Sequence, residues 1–391
     1  FFFRGIAFTF YSFLAAGMAA IMLIPAYLGI KQTASGESMS LPEHSFLTNA
    51  ADLLNRQFAM WTPITHDNFD GNVNLYIGIF TVLAVVLYLL NSKIKISEKI
   101  KKVLLIGFFY LSFSEMILNF IWHGFHDQYG IPNRFSFLFG FVLLYMLWEV
   151  FENLEGTKGW HIALACMAGV GLLVYARAKG TNPLDDEVYG VAGMLFIFYG
   201  MLLFLYTLSR KRKGWYKNAF CIVALIEIVA TAFMGFNENG QIAVPKFFYG
   251  VNDMEKAVAS LGDKTFYRSE LASSLIVDEN ALYPINGVGL FGSTASDSMV
   301  NLMDNLGFYT GCNEYLYKGA TPVTNLLLNV KYLYYHQEDT LNTDFEYVKR
   351  EGAFNIYKNP ARAMSMGYLM NRSVEDWYYD SAYPFRVQNS L

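Results

Sequence analysis

Hydrophobic residues along this chain gather in long runs, at 6–30, 75–90, 103–121, 135–151, 160–175, 188–208 and 219–236. Several approach the roughly 20 residues that an α-helix needs to cross hydrocarbon; the second, fourth and fifth are the shortest. The connections between them alternate in charge. Every second one carries cations: Arg4, then Lys93, Lys95, Lys99, Lys101 and Lys102, then Lys158, then Arg210, Lys211, Arg212, Lys213 and Lys217. The alternate set holds only Lys31, Arg56, Arg134, Arg177 and Lys179. Twelve cations against five place the first set in the cytoplasm by the positive-inside bias. Trp122, Trp148, Trp160 and Trp215 lie near run ends, where an aromatic belt belongs. Seven crossings then put everything after Phe236 on the external face.

The external pieces differ in character. The first loop, 31–74, is long and acidic, and Leu47, Ala50, Leu54 and Phe58 recur in it at helical spacing. That pattern predicts an amphipathic helix lying on the membrane surface. The second loop is the compact turn 123–134, and the third, 176–187, carries no motif. The polar remainder, 237–391, mixes helix and strand signals. Asn252 or Asp253 can cap a helix through Leu261, and 265–270 reads as a strand. Residues 297–306 and 321–328 read as helices, 330–335 as a strand, and 345–349 with 354–358 as a hairpin. The expected fold is mainly α: a polytopic membrane bundle over 1–236, then a small extracytoplasmic α/β or α+β domain over 237–391.

Composition supports the bilayer. Of 391 residues, 54% are hydrophobic and only 16% charged, where a soluble domain carries about a quarter charged. A net charge of −4, with no basic tract interleaved with aromatics, excludes a nucleic-acid groove. Cys166, Cys221 and Cys312 lie far apart, two of them inside apolar runs, which argues against a disulfide framework or a thiolate metal site. The chain opens on Phe1 within an apolar context and without a signal-peptide pattern, so a fragment of something longer is expected.

The candidate chemistry is concentrated between Ser114 and Phe141. Glu115, Asn119 and His123 recur every four residues, which stacks them on one face if the run is a continuous helix. Glu115 would then sit about 9 Å beneath the end of the run at Ile121. An acid in hydrocarbon is a functional hypothesis by default, although an interhelical hydrogen bond explains it equally plainly. Glu227, midway along the last run between Ile226 and Ile228, is the other deep carboxylate, with a polar group of the third run as its natural partner. Asn133 and Arg134 open the fourth run, where an N-cap, the helix dipole and a guanidinium together suit a lipid phosphate. The alternative is an arginine reaching ordinary head groups. His123, His126 and Asp127, with His44, His66, Asp67 and Asp70 of the first loop, can ligate a divalent metal, but their spacing matches no strong signature. Ala165 and Gly169, flanked by Ala168 and Gly171, suit close helix packing.

Two blocks, Trp122-His123-Gly124-Phe125 and Pro132-Asn133-Arg134-Phe135-Ser136-Phe137-Leu138, resemble the bacterial YfhO membrane-protein family. So do Asn74-Leu75-Tyr76-Ile77-Gly78, Gly287-Val288-Gly289-Leu290-Phe291-Gly292-Ser293 and Leu328-Asn329-Val330-Lys331-Tyr332-Leu333. The resemblance implies the fold of the lipid-sugar glycosyltransferases called GT-C. It implies transfer of a sugar from a polyprenyl-phosphate carrier to an envelope acceptor such as teichoic or lipoteichoic acid, in a bacterial cell membrane. Such enzymes keep a principal acid in their first external loop. That acid is expected upstream of Phe1, which leaves the catalytic base unassigned. Arg134 and Asn133 then bind the carrier phosphate, with Glu115, His123, His126 and Asp127 in support and His66, Asp67 and Asp70 as first-loop candidates. The rival readings are a proton-coupled transporter or flippase using Glu115 and Glu227, and a non-catalytic envelope-assembly factor.

Overall fold

A computed structural model of the chain describes residues 2–36, 41–64, 73–125, 133–208, 214–238, 244–274, 277–336, 341–361, 367 and 377–390. The chain forms two compact units, Met39–Gln241 and Phe1–Ser38 together with Ile242–Leu391.

Every apolar run is helical. In order they form α1 (Phe2–Ile30), then, after the short first-loop helix α2 (Ala50–Phe58), α3 (Ile79–Leu90), α4 (Ile96–Ser114) continued by α5 (Met116–Trp122), α6 (Ser136–Glu152), α7 (Gly159–Lys179), α8 (Asp186–Leu208) and α9 (Gly214–Glu238). Among the described residues, four helices are long and apolar enough to cross a membrane: Phe2–Ile30, Gly159–Lys179, Asp186–Leu208 and Asn218–Glu238. The others fall short for distinct reasons. α3 has 12 residues and α6 has 17. The early turns of α4 carry Glu98, Lys99, Lys101 and Lys102, and its apolar part is cut off from α5.

In the Met39–Gln241 unit, α3 is the central element and packs against α6, α7 and α8. Lipid gives helices little hydrophobic reason to associate, so close van der Waals contact and shared hydrogen bonds must hold them. The small residues of α7 supply the first: a Cβ at Gly169 would come within 2.8 Å of the Phe196 ring of α8. Phe80 of α3 lies 4.9 Å, centroid to centroid, from both Tyr199 of α8 and Phe220 of α9. The amphipathic first-loop helix exists as α2, but it does not lie on the membrane with a free polar face. Ala51, Asp52, Leu53, Asn55, Arg56, Gln57 and Phe58 are all buried, because the helix is packed against α7 and uses its polar side chains on protein backbone.

In the other unit, no residue of α1 is buried by protein, so its apolar surface is presented all round. Its end is tied to the C-terminal domain by backbone: Ala34 N–H donates to Ala295 O and Asp297 N–H to Gln32 O, both at 3.0 Å. The domain adds α10 (Val244–Phe247), α11 (Val251–Leu261), β1 (Arg268–Leu271), α12 (Glu279–Leu282), β2 (Leu290–Phe291), α13 (Asp297–Asn305), β3 (Tyr309–Gly311), β4 (Glu314–Leu316), α14 (Pro322–Leu327), β5 (Val330–Tyr335), β6 (Glu346–Glu351), β7 (Phe354–Lys358) and α15 (Pro384–Ser390). One sheet has the order β1-β5-β7-β6, with β1 parallel to β5 and the other pairs antiparallel; a second has the order β2-β4-β3. The β6–β7 hairpin turns at Gly352, whose φ of 56° suits a residue without a Cβ. α11 packs on this hairpin, and Met254, Tyr334, Phe354 and Ile356 fill the space beneath.

Asp263, just after α11, ties that helix to β5. Its carboxylate meets Lys331 Nζ at 2.5 Å and accepts from the Tyr332 hydroxyl at 3.0 Å and the Thr265 hydroxyl at 2.6 Å. Burial opposes its charge, yet Lys331, Thr265 and Tyr332 hold the carboxyl well below the ordinary aspartate range. A depressed pKa stabilises the fold above the unfolded value of about 3.9, and that contribution disappears as the pH falls further. Asp263→Asn is therefore expected to cost the domain on the order of 1–2 kcal/mol at pH 7. The difference from wild type should shrink below about pH 4 in thermal melts; a pH-independent difference would sink the assignment.

Candidate functional site

The third apolar run is not one helix. At Glu115 the backbone turns extended (φ −100°, ψ 127°), ending α4 and starting α5. A helix break leaves carbonyls on one side and N–H groups on the other without helical partners, and where they are buried each must be satisfied inside the protein. The first loop does this. Leu47 N–H donates to Ser114 O at 2.7 Å, Met116 N–H donates to Ser45 O at 3.1 Å, and Phe46 pairs with Glu115 as an antiparallel bridge. Asn133 Nδ2 donates to Phe113 O at 3.3 Å, and Glu115 Oε2 accepts from Leu118 N–H at 2.8 Å, capping α5. The other carboxylate oxygen, Glu115 Oε1, is buried and has no hydrogen-bond partner among the described residues.

The stripe expected along one helical face is thus replaced by a junction. Glu115 is its cap rather than a helical residue. Asn119 is buried and donates to Asn133 Oδ1 across to the start of α6. Asn133 itself is fully buried at φ 57°, and its side chain serves the broken helix, so it does not act as the side-chain N-cap expected for α6. Arg134, next in the chain, is exposed, and His123 is half-buried at the end of α5. His66, Asp67, Asp70, His126 and Asp127 lie outside the described residues. Among the described residues no three His, Cys, Asp or Glu side chains come together as a metal site.

Glu227 forms a second centre. From α9 its Oε1 accepts from Ile79 N–H at 2.7 Å and from the Tyr76 hydroxyl, and its Oε2 accepts from the Tyr199 hydroxyl at 2.5 Å. The partners come from the start of α3 and from α8, not from the third run as the sequence suggested. Gly78, at φ 100°, precedes α3 and has no side chain to cap it, so the carboxylate of another helix takes that place. An anion there is favoured by the free N–H groups and the dipole.

A family model described as "Bacterial membrane protein YfhO" matches residues 2–391. The chain belongs to the YfhO family. Neither the curated proteins nor the solved structures gave a match. Together with its four membrane-length apolar helices, the family assignment makes this a membrane protein.

In this YfhO-family chain a largely apolar cleft of about 810 Å³ lies beside Glu227's partners. Its walls are the first-loop residues Met60 and Ile64, then Tyr76 and Gly78, Leu144 of α6, and Ile228 and Phe236 of α9. Asn74 and Thr231 add polar atoms to its lining. Behind it, Arg56 donates to Thr62 O at 2.6 Å and Val73 O at 3.3 Å, and burial lowers its pKa to about 10.

Sequence reasoning missed one hub altogether. Asp52 accepts from Thr181 N–H (2.8 Å), Thr181 hydroxyl (2.6 Å), Asn182 N–H (3.1 Å) and Asn49 Nδ2 (2.5 Å), which locks α2 to the α7–α8 connection. Asn55 completes the lock, donating to Ala176 O at 3.1 Å and accepting from the Tyr189 hydroxyl at 2.7 Å. The Asn49-x-x-Asp52 spacing is the signal available for it, since it follows the logic of a capping box.

Proposed function

We propose that this YfhO-family protein is an integral membrane glycosyltransferase that moves a sugar from a polyprenyl-phosphate carrier to an envelope acceptor such as teichoic or lipoteichoic acid. The observation that carries the reading is the junction at Glu115: a buried carboxylate oxygen without a partner among the described residues, at the start of a helix whose Asn119 bonds to Asn133, the neighbour of the exposed Arg134. Arg134 neutralises the carrier phosphate as negative charge develops on it, the work positioned cations do in phosphate chemistry. Glu115 and His123 position that arginine or relay a proton. The cleft beside Tyr76 takes the isoprenoid chain. Residues 237–391 face outward and orient the acceptor. The principal acid is assigned to no residue here.

Arg134→Ala is expected to lower transfer of radiolabelled sugar from a polyprenyl-phosphate donor in membrane vesicles by about 10²–10³-fold, with insertion unchanged. Full activity in that variant removes the phosphate role.

One observation favours a second reading. Discontinuous helices with polar groups at the break are typical of secondary transporters, and α4–α5 is such a helix. In that reading Glu115 and Glu227 carry protons. Proton-driven substrate flux in sealed vesicles decides between them, because a transferase gives none.

A further inference from the structure

α1 and the C-terminal domain belong to one compact unit, and the way they are joined sets the domain's height above the membrane. α1 is 29 residues long, apolar enough to cross a bilayer, and buries no residue against protein. Its end carries the marks of the water interface: the Lys31 ammonium sits 4.9 Å from the centroid of the Tyr27 ring. The domain is attached at once. Thr33 pairs with Ser296 as an antiparallel bridge, Ala34 N–H donates to Ala295 O, and α13 packs on Ala34–Gly36. Three residues separate Lys31 from Ala34, a reach of at most about 10 Å, so residues 295–297 stand just above the lipid.

The small sheet begins beside this tether. Ala295 N–H turns back to Gly292 O at 2.9 Å, and Gly292 N–H donates to Asn313 O at 2.8 Å, next to β4. Phe291, four residues before Ala295, therefore lies within about 14 Å of the attachment. Register then decides which side chains share a face. Phe291 pairs with Glu314 and Tyr309 with Leu316, two residues further along β4, so Phe291 and Tyr309 project from the same side. Tyr315, between those partners, projects from the opposite side and packs on the cluster of Met303, Leu306 and Phe308, which α13 helps to build.

The outer face thus shows two aromatic rings, 51% and 49% exposed, and the exposed Lys318 lies with its Nζ 5.7 Å from the Tyr309 centroid. Aromatic rings beside a lysine are the side chains that settle at head-group level, with ring in the acyl boundary and cation at phosphate. Glu314 shares the face and offsets Lys318, which leaves apolar burial rather than net charge as the driving force. We propose that the outer face of the β2-β4-β3 sheet rests on the bilayer that α1 crosses, with Phe291 and Tyr309 seated in the head-group boundary. This contact requires only that α1 spans the membrane and is independent of the transferase and transporter readings.

The test uses the full chain in phosphatidylcholine nanodiscs, with Cys166, Cys221 and Cys312 replaced by alanine and an environment-sensitive fluorophore on Phe291→Cys or Tyr309→Cys. Seated about 5–10 Å into the boundary, either label is expected to lose roughly half its emission to chain-brominated lipid and to resist aqueous iodide. A label quenched by iodide and not by brominated lipid overturns the proposal, and so does a label reached by neither, which means that protein covers the face. Because the attachment at Ala295 alone brings the sheet near lipid, a second variant separates the two causes. Adding Phe291→Asp to the chain labelled at 309 is expected to cut lipid quenching severalfold and to admit iodide. Both positions are exposed, so the fold does not depend on them. Unchanged quenching in that chain would mean that the attachment, and not the aromatic face, holds the label at the bilayer, and would equally overturn the proposal.

Discussion

Glu227→Ala is expected to destabilise the helical bundle by about 3–5 kcal/mol, because it strands three donors at about 1–3 kcal/mol each. The alanine leaves the Tyr76 and Tyr199 hydroxyls and the Ile79 N–H without their acceptor, in surroundings where water does not replace it. It also removes the anion that compensates the uncapped start of α3. Glu227→Gln keeps one acceptor oxygen and should lose only about 1–2 kcal/mol. Thermal melts of detergent-solubilised protein read both. An alanine variant within about 1 kcal/mol of wild type would mean that the three hydrogen bonds are incidental to the packing of α3, α8 and α9. The glutamine variant adds a functional reading: if it melts like wild type but abolishes proton-driven flux, the transporter reading gains what the transferase loses.

Much of the architecture was legible because it depends on local pattern. The apolar runs are helical, the third in two pieces, but among the described residues only four of the seven expected crossings are membrane-length helices. In the C-terminal domain, Pro322 after Thr321, the alternation in 330–335 and the Gly352 turn each specify their element with little help from outside. What the sequence hid is what tertiary contacts decide. The interval of four between Glu115, Asn119 and His123 fits an unbroken helix equally well, and the break is sustained by hydrogen bonds from residues 45–47 and Asn133 that no local pattern announces. The polar face of α2 looked solvent-facing for the same reason: nothing local reveals that Thr181 and Ala176, far along the chain, will meet Asp52 and Asn55. Glu227 was legible as an important carboxylate but not as the cap of another helix. Within the candidate site, the contact of Asn119 with Asn133 joins two of the residues singled out from sequence, while Arg134 stands exposed beside them.

Glu115→Gln separates a structural from a functional role at the junction. Glutamine Oε1 still accepts from Leu118 N–H, so the cap of α5 and the hydrogen bonds from residues 45–47 persist, and the melting temperature should move by less than about 1 kcal/mol equivalent. Glu115→Ala, which loses the cap, should cost about 1 kcal/mol more. The difference between Glu and Gln therefore isolates the ionisable oxygen that has no partner among the described residues. If that oxygen relays a proton or positions Arg134, transfer in the glutamine variant should fall by about 10²-fold or more, within the range that a positioned acid–base group contributes. The pH profile is the sharper readout. A carboxylate that takes part gives the wild-type rate a pH-dependent limb that the glutamine variant lacks, whereas a carboxylate that only caps a helix leaves the profile unchanged. Wild-type rate and profile in Glu115→Gln would reduce Glu115 to a cap and move the search for the working acid elsewhere. A buried oxygen at a helix break, with no partner among the described residues, is costly to maintain, and proton transfer or the positioning of Arg134 is the return the transferase reading assigns to it.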